Sequence, residues 1–190
     1  MKRLFNIFNL FFIALIIFAG CKKGEEDPNF SFRTRKDRLT GDWILTRGFI
    51  SSTNKNSTVN TTYSNSTYIT TSSQNPELVI EGNYSRTLSI NKEGNFIDET
   101  YKDDQFLKMQ GEWTFLSGNK SDDLKNKEAV LFKITSQFNS FGNILNQYEG
   151  DKRPLITVRL KNLSNTEIVW TSNGTMDDQV TESELTWKLR

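Results

Sequence analysis

The sequence contains no histidine and a single cysteine, Cys21, among its 190 residues. Without histidine, Ser-His-Asp and Cys-His catalytic relays are impossible, and histidine-based zinc sites are excluded as well. One cysteine supplies neither an intramolecular disulfide nor a thiolate metal site. The sequence therefore predicts no resident metal, no cofactor and no enzymatic activity.

Glycine-rich nucleotide motifs and a basic surface stripe are also missing. Neither a G-x-G-x-x-G nor a P-loop pattern occurs. The 24 basic and 23 acidic residues nearly cancel, so nucleic acid is not an expected partner. The adjacent acidic pairs Asp103-Asp104, Asp122-Asp123 and Asp177-Asp178 stand in polar, turn-like stretches. Because neighbours on an extended chain point to opposite sides, all three pairs are predicted to be solvated loop charges.

The N-terminus carries the pattern of an export signal. Basic residues at positions 2 and 3 precede an apolar run over residues 10–19, and Gly20 stands directly before Cys21. A basic n-region, an apolar h-region and small residues at a cleavage point are typical of a secretory signal. The end of this segment resembles a bacterial lipobox, which implies cleavage before Cys21 and acylation of its thiol and amine. The alternative is an ordinary signal cleaved near Ala19, with Cys21 as a bystander thiol.

The segment after Cys21 indicates a destination. Residues 22–27 are short and charged, and they resemble the tract that follows the acylated cysteine in lipoproteins of Bacteroidetes-type bacteria. The resemblance implies a cleaved lipoprotein signal over residues 1–20 and an acylated tether over residues 21–38. It also implies that the protein is located at the outer membrane and is attached to this membrane through the lipid on Cys21. The chain would face either the periplasm or the cell surface.

From Gly41 onward, apolar and polar residues alternate with period two, and no long helical pattern competes. Short turn-like segments, for example Ser172-Asn173-Gly174, separate the alternating runs and favour antiparallel neighbours. Eight to ten such strands predict a closed antiparallel barrel or, failing that, a sandwich. The sets predicted to share a face are Tyr84, Arg86, Leu88 and Ile90; Leu107, Met109, Gly111, Trp113 and Phe115; Val130, Phe132 and Ile134; Ile156, Val158 and Leu160; Ile168 and Trp170; and Leu185, Trp187 and Leu189.

Three stretches depart from this alternation. Residues 34–40 are predicted to form one short helical turn. Residues 51–75 are rich in Ser, Thr and Asn and include Tyr63 and Tyr68. They predict either a long solvated hairpin or loop, or a polar wall around a barrel mouth where the two tyrosines contact a ligand. Residues 138–153 predict a long loop between two strands.

A G-x-W motif, Gly41-Asp42-Trp43, opens the first predicted strand, and a second glycine–tryptophan strand follows at Gly111 and Trp113. The first motif resembles the opening motif of lipocalins and the wider calycin group. Across residues 39–190, the order of the pieces resembles the lipocalin-like domains of Bacteroidetes-type lipoproteins. The resemblance implies an all-β, antiparallel up-and-down barrel of 8–10 strands. In it, Gly41 turns the chain into the barrel, and Trp43 and Trp113 close it.

Two functions remain open from the sequence. In the first, the interior or mouth of the barrel binds a small, partly apolar or amphipathic ligand, with Tyr63 and Tyr68 as the candidate contacts. In the second, a barrel filled by side chains is an interaction or accessory subunit of an outer-membrane assembly, with another outer-membrane protein as partner. A hollow, apolar-lined interior favours binding, whereas a packed interior with an exposed apolar patch favours the second function.

Overall fold

The computed structural model describes residues 33–118, 120–121, 124, 127–139, 143–176 and 178–190. The predicted signal peptide, Cys21 and most of the predicted tether lie outside the described residues. Within them, helix α1 spans Arg35–Leu39 and a short 3-10 helix spans Gly150–Lys152. The strands are β1 (Gly41–Thr53), β2 (Thr58–Ser64), β3 (Thr67–Ser72), β4 (Asn75–Ile90), β5 (Asn95–Lys102), β6 (Gln105–Phe115), β7 (Ala129–Asn139), β8 (Ile144–Gln147), β9 (Leu155–Leu163), β10 (Glu167–Met176) and β11 (Gln179–Leu189).

Helix α1 begins at a capping pair between Thr34 and Asp37. The Thr34 hydroxyl oxygen accepts the backbone N–H of Asp37 at 3.1 Å, and the hydroxyl donates to the Asp37 carboxylate at 2.7 Å. Leu39 is fully buried, and Arg38 donates a hydrogen bond to the backbone oxygen of Leu163 at the end of β9. The helical turn predicted for residues 34–40 is confirmed, and it packs onto the barrel.

The strands form one closed, antiparallel sheet. Consecutive strands pair with each other, except that β9 pairs with β7 instead of β8, and β11 pairs back with β1. Strands β8 and β9 both pair with β7, at residues 136–138 and 129–133 respectively, so they share one position in the ring. The ring therefore has ten strand positions. The predicted fold class, an all-β, antiparallel up-and-down barrel of the lipocalin-like kind, is confirmed.

The number of strands around the barrel changes along its axis. At the base, residues 41–44 of β1 pair with residues 87–90 of β4. Beyond them, residues 47–53 of β1 pair with β2, and β3 pairs with β4. The β2–β3 hairpin is thus inserted between β1 and β4, and the ring grows from eight strands at the base to ten above it. Because barrel diameter increases with strand number, the interior widens where the hairpin enters.

The narrow base is filled by side chains. Trp43 is 1% exposed, and its indole Nε1 donates to the backbone oxygen of Leu39 at 2.9 Å. The sets predicted to share a face supply most of this core, which confirms the period-two assignments, although the last member, Leu189, is 41% exposed. The largest other fully buried side chains are Trp187, Leu39, Leu88, Leu160, Leu163, Ile168 and Val130.

Three polar segments form strands. Residues 51–75 contain the end of β1 and strands β2 and β3, so of the predicted alternatives a hairpin in the barrel wall is present and an irregular loop is not. The loop predicted for residues 138–153 contains β8, and the turn predicted at residues 172–174 lies inside β10. Ladder hydrogen bonds come from the backbone, so a strand that is polar on both faces forms without the apolar alternation that reveals it in sequence.

Candidate ligand-binding site

A cavity of about 170 Å³ lies inside the barrel at the level where the ring widens. Its described lining is mostly apolar, with one ion pair and three hydroxyl groups. The lining residues are Ile50, Leu88, Phe96, Met109, Phe132, Ile156, Val158, Trp170 and Leu185, together with Arg86, Asp98, Ser172, Thr181 and Ser183. A concave, mainly apolar cavity with a few polar groups is the usual form of a small-molecule site. The interior therefore meets the condition that favours ligand binding.

Three aromatic side chains form one continuous part of the cavity wall. The Phe132 ring meets Phe96 edge-on, with centroids 4.9 Å apart and planes at 72°. It also meets Trp170 edge-on, with centroids 5.7 Å apart and planes at 65°. Edge-to-face packing is the favourable arrangement for aromatic pairs, because the positive edge of one ring meets the negative face of the other. The three rings are therefore held in fixed orientations around the empty space.

The cavity contains a buried ion pair between Arg86 in β4 and Asp98 in β5. The Nε atom of Arg86 donates to Oδ1 of Asp98 at 2.9 Å and to Oδ2 at 3.2 Å, and Nη2 donates to Oδ2 at 2.6 Å. Only 18% of the Arg86 side chain and 7% of the Asp98 side chain are exposed. A forked guanidinium–carboxylate contact of this kind satisfies both groups with strong, directional hydrogen bonds.

The surroundings of Arg86 keep it charged. Burial by itself lowers the pKa of Arg86, but the charge of Asp98 and the hydrogen bonds to it raise this pKa above its ordinary value. The guanidinium also lies 5.3 Å from the centroid of the Trp187 ring, at a distance typical of a cation–π contact. Arg86 is therefore fixed between a carboxylate and an indole, with its charge cancelled inside the protein.

Serine and threonine hydroxyls line the part of the cavity formed by β10 and β11. The Ser172 and Ser183 hydroxyl oxygens are 2.8 Å apart and hydrogen-bonded to each other. The Thr181 hydroxyl lies 2.9 Å from that of Ser52 in β1. Each hydroxyl has one donor and two acceptor positions, so a bonded pair still offers hydrogen-bonding capacity to a third group.

The predicted ligand contacts, Tyr63 and Tyr68, face the barrel interior but do not line this cavity. The Tyr63 ring packs against Tyr84 with centroids 4.4 Å apart, and burial together with Tyr84 raises the pKa of Tyr63 to about 12. Tyr68 is 4% exposed, and its hydroxyl donates to Asp103 at 2.9 Å, which raises its pKa. Their contact with a ligand stays a prediction.

Asp103 and Asp104 lie exposed in the β5–β6 turn, as predicted, but Asp103 also makes hydrogen bonds to two strands. Besides the Tyr68 hydroxyl, it accepts the backbone N–H of Asn83 at 2.9 Å, so it joins the β5–β6 turn to β3 and β4. These hydrogen bonds were not predictable, because the sequence does not show which strands flank a turn. Asp178 forms an exposed ion pair with Lys55 at 2.7 Å. The pair Asp122-Asp123 and Asp177 lie outside the described residues.

The predicted barrel-closing residues occupy the base of the barrel. Gly41 has a φ of 150°, and a side chain there would come within 2.7 Å of Leu189. Trp113 is buried, and its indole Nε1 donates to the backbone oxygen of Asn91 at 2.9 Å. In the described part of the chain, no three metal-ligating side chains come together, and no helix is long and apolar enough to span a membrane.

No family model matches the sequence, and no curated protein matches it. Among solved structures, the chain is similar to an S-type phycobiliprotein lyase from Guillardia theta. The two share 10% sequence identity with a TM-score of 0.21, over 82% of this chain and 89% of that chain. At this TM-score, the similarity assigns neither a ligand nor a mechanism to the chain.

The prediction that the chain is not an enzyme is corrected by this match, since the protein it resembles is named a lyase. The prediction rested on the absence of histidine and of nucleotide motifs, on the single cysteine, and on the placement of the adjacent acid pairs in loops, but other side chains also transfer protons. Carboxylates and phenols also do so, and this barrel holds Asp98, Tyr63 and Tyr84 in its interior. The restriction to a non-enzymatic role is therefore withdrawn, and no specific activity replaces it.

The ion pair is the main feature that sequence reasoning missed. The alternation of β4 placed Arg86 on the same face as Tyr84, Leu88 and Ile90, so an arginine on an otherwise inward-facing set was visible. Its partner was not visible, because the pairing of Arg86 with Asp98 depends on the register between β4 and β5. An interior arginine nonetheless requires a partner, and the neighbouring strand is the nearest place to find an inward-facing acid.

Proposed function

We propose that this chain is a lipid-anchored, lipocalin-like protein of the outer membrane that binds a small, partly apolar ligand inside its barrel. The observation that supports binding is the cavity of about 170 Å³, lined mainly by apolar side chains, where the ring grows from eight to ten strands. The base below it is packed, so a ligand reaches the cavity from the wider end. Ile156, a lining residue, is 39% exposed, so the cavity lies close to solvent on the side of β9.

A ligand screen with a blocking variant tests this proposal. Wild-type protein is screened by thermal shift and tryptophan fluorescence against fatty acids, lipids, haem-like compounds, glycans and small aromatic compounds. Ser172→Phe places a ring in the cavity, whereas Thr171→Phe places the same ring on the neighbouring, outward-facing position of β10. Binding that is lost in Ser172→Phe and kept in Thr171→Phe supports an interior site. If no compound stabilises the wild type, the binding proposal fails.

The proposed role of Tyr63 and Tyr68 is tested in the same screen. The Tyr63 ring packs against Tyr84, which precedes the lining residue Arg86 by two positions in β4, so a ligand that extends beyond the cavity in this direction would meet it. If the Tyr63 hydroxyl hydrogen-bonds to such a ligand, we expect Tyr63→Phe to lower the affinity for it. The thermal stability of the protein at neutral pH should change little. If wild type and variant bind every ligand found with equal affinity, the Tyr63 hydroxyl does not contribute to binding.

The anchoring proposal rests on the N-terminal sequence pattern. Acylation of Cys21 places several acyl chains in the bilayer, and stable anchoring needs more than one chain. We expect Cys21→Ala to abolish lipid attachment and retention in the outer-membrane fraction, as measured by mass spectrometry and fractionation. Asn29→Ala, just outside the charged tract, is the control and should keep both. Outer-membrane retention of Cys21→Ala at the wild-type level would overturn the lipoprotein proposal.

A second candidate function, an interaction subunit of an outer-membrane assembly, is favoured by one edge of the sheet. Three consecutive residues of β4, Leu78, Val79 and Ile80, are each about half exposed, at 52%, 52% and 49%. In this part of β4 the described residues pair only with β3, because β5 begins to pair at Tyr84. Site-specific photo-cross-linking from position 79 in native membranes tests this function, with position 97 as an equally apolar control. Equal labelling from both positions argues against a specific partner.

A further inference from the structure

The charges that line the cavity cancel each other. Among the described lining residues, Arg86 and Asp98 are the only two charged side chains, and they hydrogen-bond to one another at 2.6–3.2 Å. Asp98 takes the Nε and Nη2 donors of the guanidinium, so a ligand carboxylate bound to the remaining donors would place a second negative charge beside one positive charge inside the barrel. Uncompensated burial of an ion costs several kcal/mol. A ligand cation would meet the same difficulty with Arg86.

The size of the cavity limits the buried part of a ligand. An apolar cavity of about 150 Å³ in another protein takes up benzene. The cavity of about 170 Å³ in this barrel therefore suits one aromatic ring system with a few further atoms. Phe96, Phe132 and Trp170 present ring edges and faces to such a molecule, and aromatic pairs of this type stabilise each other beyond simple area burial.

The hydroxyl groups supply the polar contact that such a ligand would need. Ser172 and Ser183 are bonded to each other, and together they keep one donor and further acceptor positions. A neutral hydroxyl or carbonyl group pairs with these positions without introducing charge. We therefore propose, on the basis of the ligand-binding function above, that the cavity selects uncharged, compact aromatic molecules bearing a hydroxyl or carbonyl group and rejects their carboxylate analogues.

A matched pair of probes tests this selectivity. 2-Naphthol and 2-naphthoate have the same ring system, but only the second is charged at neutral pH. Binding to the purified full chain is followed by quenching of tryptophan fluorescence, with Ser172→Phe as the check that the interior is the site. We expect 2-naphthol to bind at least about tenfold more tightly than 2-naphthoate, because binding of 2-naphthoate buries a carboxylate charge that nothing in the cavity compensates. Equal affinities, or a preference for 2-naphthoate, would overturn the proposal and leave the general binding function intact.

Charge-changing variants give the sharper test. Asp98→Asn keeps the shape of the side chain but leaves the Arg86 charge uncompensated, so the preference should shift toward 2-naphthoate by at least about tenfold. Asp104→Asn, which alters an exposed acid in the β5–β6 turn, should leave the preference unchanged. If Asp98→Asn does not fold, the double variant Arg86→Gln/Asp98→Asn has no net charge change and should retain the wild-type preference.

The outcomes separate the two proposals. An unchanged preference in Asp98→Asn shows that the ion pair does not set selectivity, and the inference is then wrong. A reversed preference in the double variant, which lacks both charges, has the same consequence. If neither probe nor any compound of the screen binds to wild-type protein, the proposed binding function itself fails, and the selectivity fails with it.

Discussion

The hydroxyl of Tyr68 in β3 donates a hydrogen bond of 2.9 Å to the carboxylate of Asp103 in the β5–β6 turn. Asp103 also accepts the backbone N–H of Asn83, and the ammonium of Lys102 lies 4.1 Å from the centroid of the Tyr68 ring. These contacts connect the inserted β2–β3 hairpin to the strand pair on the far side of β4. The hairpin is therefore fixed to the barrel by side chains as well as by backbone ladders.

Tyr68→Phe should lower the free energy of unfolding by about 1 kcal/mol, because one hydrogen bond to a charged group is lost while the ring stays packed. Denaturant unfolding measures the change. Tyr101→Phe is the control, since the Tyr101 side chain is half exposed on β5 and should be close to neutral. Equal losses in the two variants would show that the Tyr68–Asp103 bond does not contribute to stability.

Trp43→Ala should cost about 3–5 kcal/mol, as truncations of large buried aromatic residues do. The indole is 1% exposed and fills the eight-stranded base, and its Nε1 holds the end of helix α1 through Leu39. Phe49→Ala removes an aromatic ring from the same strand, but that ring is 43% exposed, so the loss should be much smaller. A Trp43→Ala variant that unfolds at the wild-type denaturant concentration would contradict a structural role at the base.

Two glycine-to-alanine substitutions should differ sharply in their effect on the free energy of unfolding. At Gly111 in β6, an added Cβ would lie 2.0 Å from the backbone oxygen of Lys133 in β7, so the two paired strands must move apart. Gly111→Ala should therefore lose about 1–3 kcal/mol of stability. At Gly174 in β10, no heavy atom lies within 4 Å of the added Cβ, and Gly174→Ala should stay within about 0.5 kcal/mol of wild type. Thermal unfolding of both variants tests the close approach of β6 and β7.

Stability should fall at high pH partly through Tyr63. Burial raises the pKa of Tyr63 from its ordinary value near 10 to about 12 in the folded protein. The folded state then holds this proton more tightly than the unfolded state, so the contribution is fully present below pH 10 and is lost as the pH rises toward 12. The difference in unfolding free energy between wild type and Tyr63→Phe should therefore shrink or change sign over this range. A constant difference would show that the Tyr63 phenol is not shifted.

Much of the fold could be predicted because period-two alternation is a local property. The sets around Trp113, Phe132 and Trp170 were assigned to one face from spacing alone, and all three rings lie in the interior. The polar hairpin of β2 and β3 was predicted only as one of several alternatives, and the short strand β8 was predicted as part of a loop. Their strand character comes from pairing with neighbours, not from an apolar face of their own.

The candidate site was predictable only in outline. Tyr63 and Tyr68 were chosen because they are aromatic residues in a polar stretch, and they do face inward. The cavity itself is lined by residues from eight strands, several of them far apart in sequence, so its position depends on the register of the strand pairs. No local pattern specifies where the ring changes from eight strands to ten.

The sequence by itself determined which side chains face the interior, since side-chain direction alternates strictly along a strand. It also determined the short helix before the barrel, through the capping pair at Thr34 and Asp37. Only the tertiary structure decided that the β2–β3 hairpin widens the ring and that Arg86 meets Asp98 across the β4–β5 ladder. Both depend on register and on the closure of β11 against β1, which are set by the summed packing of the whole barrel.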